Sequence, residues 1–324
     1  MKRLLAFYSI GILLVGALGA GSAAALSFSN LFVIGDSLVD SGNTQAAVID
    51  QFGVAADPTP AAAGYFQGRF TNGPHFADVV NQAIEGTNSL GSLLGGDNFG
   101  FGGARARDDG DFLPDALAQT GLLLQSQGGV VDPNALYLVN VGGNDVRDIV
   151  IGGLTGAARQ QVIDDAVSAI TSSIGLLQGA GAQNILFVGV GDVGGIPEIL
   201  NIGGTAPVDG RQASEDLNAA IQAALPGGVD FFDTIALFDA VVANPALFGL
   251  PANLDLTTSC VGAGQNVPDP TCGGFAFFDD VHPSTQVAQV LGGEIVAAVP
   301  EPGTALLLML GLAGLSATGR PAQA

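Results

Sequence analysis

Ser37 closely follows an apolar run, in a setting where its hydroxyl could act as a nucleophile. Residues 31–34 are apolar, and Gly-Asp-Ser-Leu follows at positions 35–38. Glycine permits a tight turn after a buried strand, and a helix starting nearby would place its positive amino terminus beside the Ser37 hydroxyl. Asp36 and Ser37 are also common N-cap residues, so this segment alone leaves a purely capping role open.

The search for a general base is narrow because the chain has only two histidines. His282 follows Asp279 by three positions, so the carboxylate could hold one ring nitrogen while the other faces a nucleophile. A surface histidine beside a capping aspartate is the alternative. His75 has no carboxylate three positions before it, and we expect it in a loop or at a helix start.

Two glycine-rich stretches could supply hydrogen-bond donors to a developing oxyanion. Asn144 follows two glycines after the apolar run 135–139, and its side-chain amide can donate. Gly103 follows the weaker apolar run 98–101, and its backbone amide could donate with no side chain in the way. Each stretch taken alone is more often an ordinary turn.

Regular secondary structure must position these four segments, and the apolar pattern indicates alternating strands and helices. The runs typical of buried strands are residues 31–34, 135–139 and 185–188, with 98–101 and 229–232 as weaker candidates. The runs with helical apolar spacing are residues 157–178, 214–225 and 284–298. This alternation predicts an α/β fold with a parallel sheet, in which ligands bind beyond the carboxyl ends of the strands.

Together and in this order, the four segments resemble the GDSL lipase/esterase family of the SGNH hydrolase superfamily. The resemblance covers residues 31–298 and includes Gly-Arg-Phe-Thr-Asn-Gly-Pro at positions 68–74. It implies a flavodoxin-like, three-layer α/β/α sandwich around a five-stranded parallel sheet. Asp280, an additional carboxylate beside Asp279, is a departure that either tunes the pH response or faces water.

The same resemblance implies a role for each site residue. Ser37 would be the nucleophile, His282 the general base and then acid, and Asp279 its orienting partner. The backbone amides of Ser37 and Gly103 and the side chain of Asn144 would form the oxyanion hole. The implied activity is that of a serine esterase or lipase that forms an acyl-enzyme and needs neither cofactor nor metal.

Both ends of the chain have the pattern of targeting segments. Residues 1–25 combine a basic start, a short apolar run and small residues, which predicts a secretory signal peptide cleaved after Ala25. Residues 300–324 begin with Pro-Glu-Pro and resemble the PEP-CTERM sorting tail of Gram-negative bacteria, although Arg320 stands alone where that tail usually has a basic cluster. The resemblance implies exosortase processing, with membrane contact only transiently and delivery to the periplasm, then the cell surface or matrix. A frayed apolar end or a membrane anchor is the alternative.

These boundaries leave residues 26–299 as a single hydrolase domain, which is strongly acidic. The whole chain has 30 acidic and 9 basic residues and a formal net charge of -21. Such an excess of acidic groups repels nucleic acids and anionic membrane surfaces, so neither is expected as a partner.

The two cysteines, Cys260 and Cys272, lie 12 positions apart in a segment rich in glycine and proline. In an exported chain this spacing predicts a disulfide. Two thiols without a nearby histidine would make a poor zinc site.

Residues 189–194 match the glycine spacing of a dinucleotide-binding loop. However, Pro197 and an apparent loop at 209–211 contradict the helix and second strand that such a site needs, so we expect a strand-end loop near the active site.

Several functions stay open for the whole chain. An ester hydrolase acting on a lipid, a short-chain ester or an acetylated sugar is the first. A carbohydrate O-deacetylase or acyltransferase acting on exopolysaccharide, or a catalytically silent surface or matrix protein, is the alternative.

Overall fold

A computed structural model describes residues 26–262 and 272–299. Its centre is a parallel sheet whose four strands are adjacent in the order of the chain. The strands are β1 (Leu31–Gly35), β2 (Leu136–Asn140), β3 (Asn184–Val188) and β4 (Val229–Phe232). β1 and β2 are buried along their whole length, which is why their sequences are continuous apolar runs.

In the described residues this parallel sheet has four strands, and the prediction of five was wrong in this respect. The remaining candidate, residues 98–101, does lie beside β1, and two of its amides donate to β1 carbonyls at 2.8 and 3.0 Å. Its pairing is reduced to an isolated bridge between Asn98 and Val33. Because alternate amides of an extended segment face the same neighbour, the Gly100 amide faces away from β1, and it donates to the Asn98 side chain at 2.9 Å.

Helices cover both faces of the sheet. They are α1 (Asn43–Phe52), α2 (Phe76–Glu85), α3 (Ala116–Ser126), α4 (Gly143–Ile151), α5 (Gly156–Ala180), α6 (Pro197–Ile202), α7 (Ala206–Ala224), α8 (Thr234–Ala243) and α9 (Thr285–Ala298). Within the described ranges, none of them combines the length and apolarity that crossing a bilayer requires.

Successive strand residues face opposite helical layers, as the two-residue period of a strand requires. Phe32 and Ile34 belong to a buried cluster with apolar residues of α3, α5 and α7. Leu31 and Val33 belong to a second cluster with residues of α2 and α9. The predicted α/β/α arrangement with a parallel sheet is therefore confirmed.

Helix α7 begins earlier than its apolar spacing predicts, because residues 209–211 are helical and do not form the expected loop. Pro207 lies in the first turn of the helix, where the lack of an amide hydrogen has no cost. Gly210 is needed for a close approach: a Cβ there would lie 2.8 Å from the backbone of Gly194. The residues that suggest a loop in the sequence instead allow α7 to pack against the strand-end segment.

A small two-stranded sheet supports the chain just before the last helix. It pairs β5 (Asp255–Ser259) with β6 (Phe275–Phe277). A disulfide joins Cys260 to Cys272, and both sulfurs lie in a buried cluster with Phe278 and Tyr65. Phe278 of this cluster immediately precedes Asp279 in the chain.

The extended segment beside β1 depends on Asn98, which is buried and donates to the Val39 carbonyl at 2.6 Å and to Ser41 Oγ at 3.0 Å. We expect Asn98→Ala to lower the free energy of unfolding by about 2–3 kcal/mol, because its buried partners lose their hydrogen bonds. Urea unfolding measures this change. The exposed Asn253→Ala is the control and should change stability by less than about 0.5 kcal/mol; an equal effect of both variants would contradict the assigned role.

Candidate active site

Ser37 lies in the turn that follows β1. The Asp36 carboxylate accepts a hydrogen bond from the Leu38 amide at 3.0 Å, which closes this turn. Helix α1 begins only at Asn43, so the prediction that Ser37 lies near a helix amino terminus was wrong. The turn closed by Asp36, and not a helix, positions the Ser37 hydroxyl.

The base of the turn requires a close approach between β1 and β2. A Cβ at Gly35 would lie 2.3 Å from the Asn140 carbonyl oxygen, so only glycine fits there. The Asp36 amide donates to the same carbonyl at 3.2 Å. Burial raises the pKa of the adjacent Asp36 carboxyl to about 6.

The structure brings Ser37, His282 and Asp279 together from opposite ends of the described chain. Ser37 Oγ lies 2.8 Å from His282 Nε2. His282 Nδ1 lies 2.9 and 2.8 Å from the two carboxylate oxygens of Asp279. Phe70, from the segment 68–74, places its ring centre 5.2 Å from that of the imidazole. A proton can therefore pass from the hydroxyl to the ring without movement of either side chain.

The Asp279 carboxylate is held by several donors. The backbone amides of Val281 and His282 donate to Oδ1 at 2.9 and 2.7 Å, and the Tyr65 hydroxyl donates to Oδ2 at 2.9 Å. Burial alone would raise the pKa of Asp279, but the charge of His282, the hydrogen bond to its ring and those from the Val281 and His282 amides outweigh it and keep the pKa below its usual range. Burial and the neighbouring carboxylate raise the pKa of Tyr65, so it stays a donor.

Two of the three predicted oxyanion donors, Asn144 and Gly103, lie in segments that a hydrogen bond joins. Asn144 is in the first turn of α4, and its Nδ2 donates to the Ala104 carbonyl at 2.9 Å. Ala104 follows Gly103 directly, so this bond holds the two donor segments together. An amide nitrogen carries two hydrogens, which leaves one of the Asn144 hydrogens for a substrate oxygen. Gly103 is exposed and has a φ of 85°, a conformation that favours glycine.

Arg147 fixes the orientation of the Asn144 side chain. Its Nη1 donates to Asn144 Oδ1 at 2.9 Å, so the amide nitrogen must face the Ala104 side. Glu198 holds the same guanidinium through two hydrogen bonds of 2.8 Å. Sequence reasoning missed Arg147, Glu198 and Tyr65, and the only available signal was that Arg147 follows Asn144 by three positions, next to it on a helix.

Asp280 does not contact the imidazole. Its carboxylate accepts a hydrogen bond from Ser259 Oγ at 2.6 Å, and its backbone carbonyl accepts one from the Glu198 amide at 2.8 Å. The side chain is exposed. Asp280 therefore tethers the loop that carries Asp279 to β5 and to the start of α6.

His75 belongs to a second, buried set of a serine, a histidine and an aspartate. Its Nε2 lies 3.1 Å from Ser41 Oγ, and its Nδ1 accepts a hydrogen bond from the Asp78 amide at 3.1 Å as the N-cap of α2. The Asp78 carboxylate lies 3.2 Å from Nδ1, but it already accepts two hydrogen bonds from Arg69. The ring proton must then be on Nε2, so His75 cannot take a proton from Ser41 as a neutral base.

The sequence matches a known protein family over most of its length. A family model described as GDSL-like Lipase/Acylhydrolase matches residues 31–295. The chain belongs to this GDSL family. It is accordingly a serine hydrolase that acts on esters.

Relatives of this GDSL hydrolase occur in plants and bacteria. A GDSL esterase/lipase of Arabidopsis thaliana is 25% identical over 85% of this chain and 88% of its own length. Lipase 1 of Photorhabdus luminescens is 30% identical over 54% of this chain and 24% of its own length. A solved structure from Veillonella parvula, described as a member of the lipolytic protein G-D-S-L family, aligns at 13% identity with a TM-score of 0.42, over 83% of this chain and 97% of that one.

The segment that matches a dinucleotide loop also lies at this site. Residues 189–193 line the same cavity as Ser37. The next α-helix, α6, begins at Pro197 rather than at the third glycine of the motif. In the part of the chain that the structure describes, no group of acidic, histidine or cysteine side chains is arranged to hold a metal ion.

We expect Arg147→Met to lower kcat of this GDSL hydrolase by about ten- to a hundred-fold with little change in KM, because Asn144 loses its fixed orientation. Steady-state hydrolysis of a nitrophenyl ester measures both constants. Arg159→Met is the control, since Arg159 pairs with Asp216 on the surface of α7. Equal kcat values in the two variants would show that Asn144 does not need Arg147.

The buried His75 predicts a specific acid sensitivity. Burial lowers its pKa from 6.5 to about 4. Between these two pKa values the imidazole binds a proton in the unfolded chain but not in the folded chain. The free energy of unfolding that depends on neutral His75 is therefore fully present above pH 6.5 and is lost as the pH falls towards 4. Relative to His75→Asn, which keeps an N-cap acceptor, the wild type should lose about 3 kcal/mol of unfolding free energy between about pH 7 and pH 4. Urea unfolding across this range tests it; a constant difference would contradict a neutral, buried His75.

Proposed function

We propose that this GDSL hydrolase cleaves carboxylic esters through an acyl-enzyme on Ser37, with His282 as the general base and Asp279 as its orienting partner. The observation that carries the proposal is the 2.8 Å distance between Ser37 Oγ and His282 Nε2. The carboxylate at Nδ1 favours the tautomer in which Nε2 is unprotonated and can accept the serine proton.

In the first half of the reaction, Ser37 Oγ attacks the ester carbonyl carbon while His282 Nε2 takes the hydroxyl proton. The carbonyl π electrons move to oxygen and form a tetrahedral oxyanion. The C–O bond to the alcohol then breaks, and His282 returns its proton to the departing oxygen. The product of this half is an ester of Ser37.

In the second half, water replaces the alcohol. His282 takes a proton from the water as it attacks the acyl carbon, and the bond to Ser37 Oγ breaks with return of that proton. The positive charge that forms on the imidazole in each half is stabilised by Asp279, which Tyr65 and two backbone amides hold in place.

The backbone amides of Ser37 and Gly103 and Nδ2 of Asn144 are the donors we assign to the oxyanion. The adjacency of Asn144 to the Gly103 segment supports this assignment. Donors fixed before the reaction stabilise the charge as it develops without reorganisation, and each is typically worth about 10²- to 10³-fold in rate.

We also propose that the protein is exported. The supporting patterns are the predicted signal peptide at 1–25 and the PEP-CTERM-like tail at 300–324 with its exosortase site, which lie outside the described residues. The predicted domain at 26–299 and a destination at the cell surface or in the matrix belong to the same proposal.

Hydrolysis of a short-chain nitrophenyl ester by purified protein, followed by fluorophosphonate labelling and peptide mass spectrometry, tests the catalytic assignment. Ser37→Ala should lower kcat by more than about 10³-fold and abolish labelling. Ser41→Ala is the matched control, because Ser41 also lies beside a histidine, and it should still be labelled on Ser37. No turnover and no labelling in folded wild-type protein would instead favour a catalytically silent surface protein.

A further inference from the structure

A cavity of about 140 Å³ lies beside the proposed nucleophile. Ser37 and Asn144 line it, together with residues 189–191 beyond the carboxyl end of β3. Part of its wall comes from α8 and α9, and the larger apolar residues that these helices contribute are Leu237, Phe238, Val241, Val287, Val290 and Leu291. Side chains of this kind gain free energy when an apolar group covers them.

The charges at the cavity favour an uncharged occupant. Arg147 is the basic residue among those lining it, and both of its hydrogen bonds to Glu198 are 2.8 Å long. Asp36 and Asp192 also line the cavity. A phosphate or carboxylate would therefore meet acidic groups and a cation that is already paired.

The cavity is not a sealed packing defect. Asn140 and Thr234 line it, and each has a buried side-chain oxygen with no hydrogen-bond partner among the described residues. Such atoms are rarely left in a dry interior, so a space that solvent or substrate can enter is favoured. Ser37 lines the cavity, so a substrate bound at the Ser37 hydroxyl can extend into it.

The direction of the ester follows from the position of His282. The leaving alcohol must lie near His282 Nε2 to receive its proton. Val281 and Pro283, the chain neighbours of His282, line the cavity together with Ser37 and Asn144, but the His282 imidazole does not. With the carbonyl at Ser37 and its oxygen towards Asn144, the alcohol occupies the His282 side. The acyl chain is then the part that enters the cavity.

We infer that this cavity is an acyl-chain pocket, and that the preferred substrates are esters with linear acyl chains of about four to eight carbons. The inference rests on the proposed function of Ser37. The length follows from the volume: a cavity of about 150 Å³ holds benzene, which has six carbon atoms. An acetyl group would leave most of the apolar wall uncovered.

The test compares p-nitrophenyl acetate, butyrate and octanoate as substrates of the purified protein. Each buried methylene can raise kcat/KM by up to about four-fold, so octanoate should exceed acetate by at least about tenfold. Leu237→Trp, which places a bulky ring in the cavity, should lower kcat/KM for octanoate by at least about tenfold and for acetate by less than about threefold. Val242→Trp is the matched control, since Val242 lies on the same helix and is 42% exposed; it should change neither.

The outcomes separate this inference from the proposed function. Acetate turned over at least as well as octanoate, or an equal loss on both esters in a folded Leu237→Trp variant that fluorophosphonate still labels, would overturn the acyl pocket while leaving Ser37 as the nucleophile. Absence of turnover on every ester together with absence of labelling would overturn the proposed function itself. Thermal unfolding of both variants identifies a loss that comes from misfolding.

Discussion

The hydrogen bond between Asp279 and His282 Nδ1 determines what the rest of the site can do. Because the carboxylate accepts at Nδ1, the lone pair of Nε2 is directed at Ser37 Oγ. Ring orientation and tautomer would otherwise be free to vary. The Asp279 carboxylate is in turn held by the turn it begins and by Tyr65, whose ring packs edge-on against Phe278 at 5.0 Å. The disulfide between Cys260 and Cys272 belongs to the same buried cluster, so a covalent link supports the position of the carboxylate that faces His282.

The same residue types give a different result a short distance along the chain. His75 also lies between a serine and an aspartate, but its Nδ1 accepts a backbone hydrogen bond at the start of α2. Helix capping thereby fixes the opposite tautomer, and the buried ring serves to join α2 to the segment after β1. Chemistry in this fold therefore depends on which group faces Nδ1, and not on the presence of the three side chains alone.

Much of the fold and of the site could be predicted from the sequence, for a physical reason in each case. Strands buried on both faces must be apolar, so β1, β2 and β3 stand out, and a glycine is required where β1 approaches the Asn140 carbonyl. The roles of Ser37 and His282 came from a family resemblance carried by local motifs. Residues that act through distant contacts left no such pattern. Tyr65 meets Asp279 across 214 positions, and Arg147 meets Glu198 across 51.

Two errors show how local patterns mislead. Residues 98–101 have strand-like composition and lie where a fifth strand would be, yet their pairing with β1 is a single isolated bridge between Asn98 and Val33. Gly210 and Pro207 suggest a loop, but one permits close packing in α7 and the other fits its first turn. In both cases the composition of the segment alone did not determine its secondary structure.

The ¹⁵N NMR spectrum of the imidazole nitrogens at mildly alkaline pH measures whether Asp279 sets the tautomer of His282. The chain has only two histidines, and the His75→Asn variant assigns the two rings. We expect opposite tautomers, with the proton on Nδ1 of His282 and on Nε2 of His75. A neutral His282 ring that carries its proton on Nε2 would contradict it, because that nitrogen could not then accept a proton from Ser37.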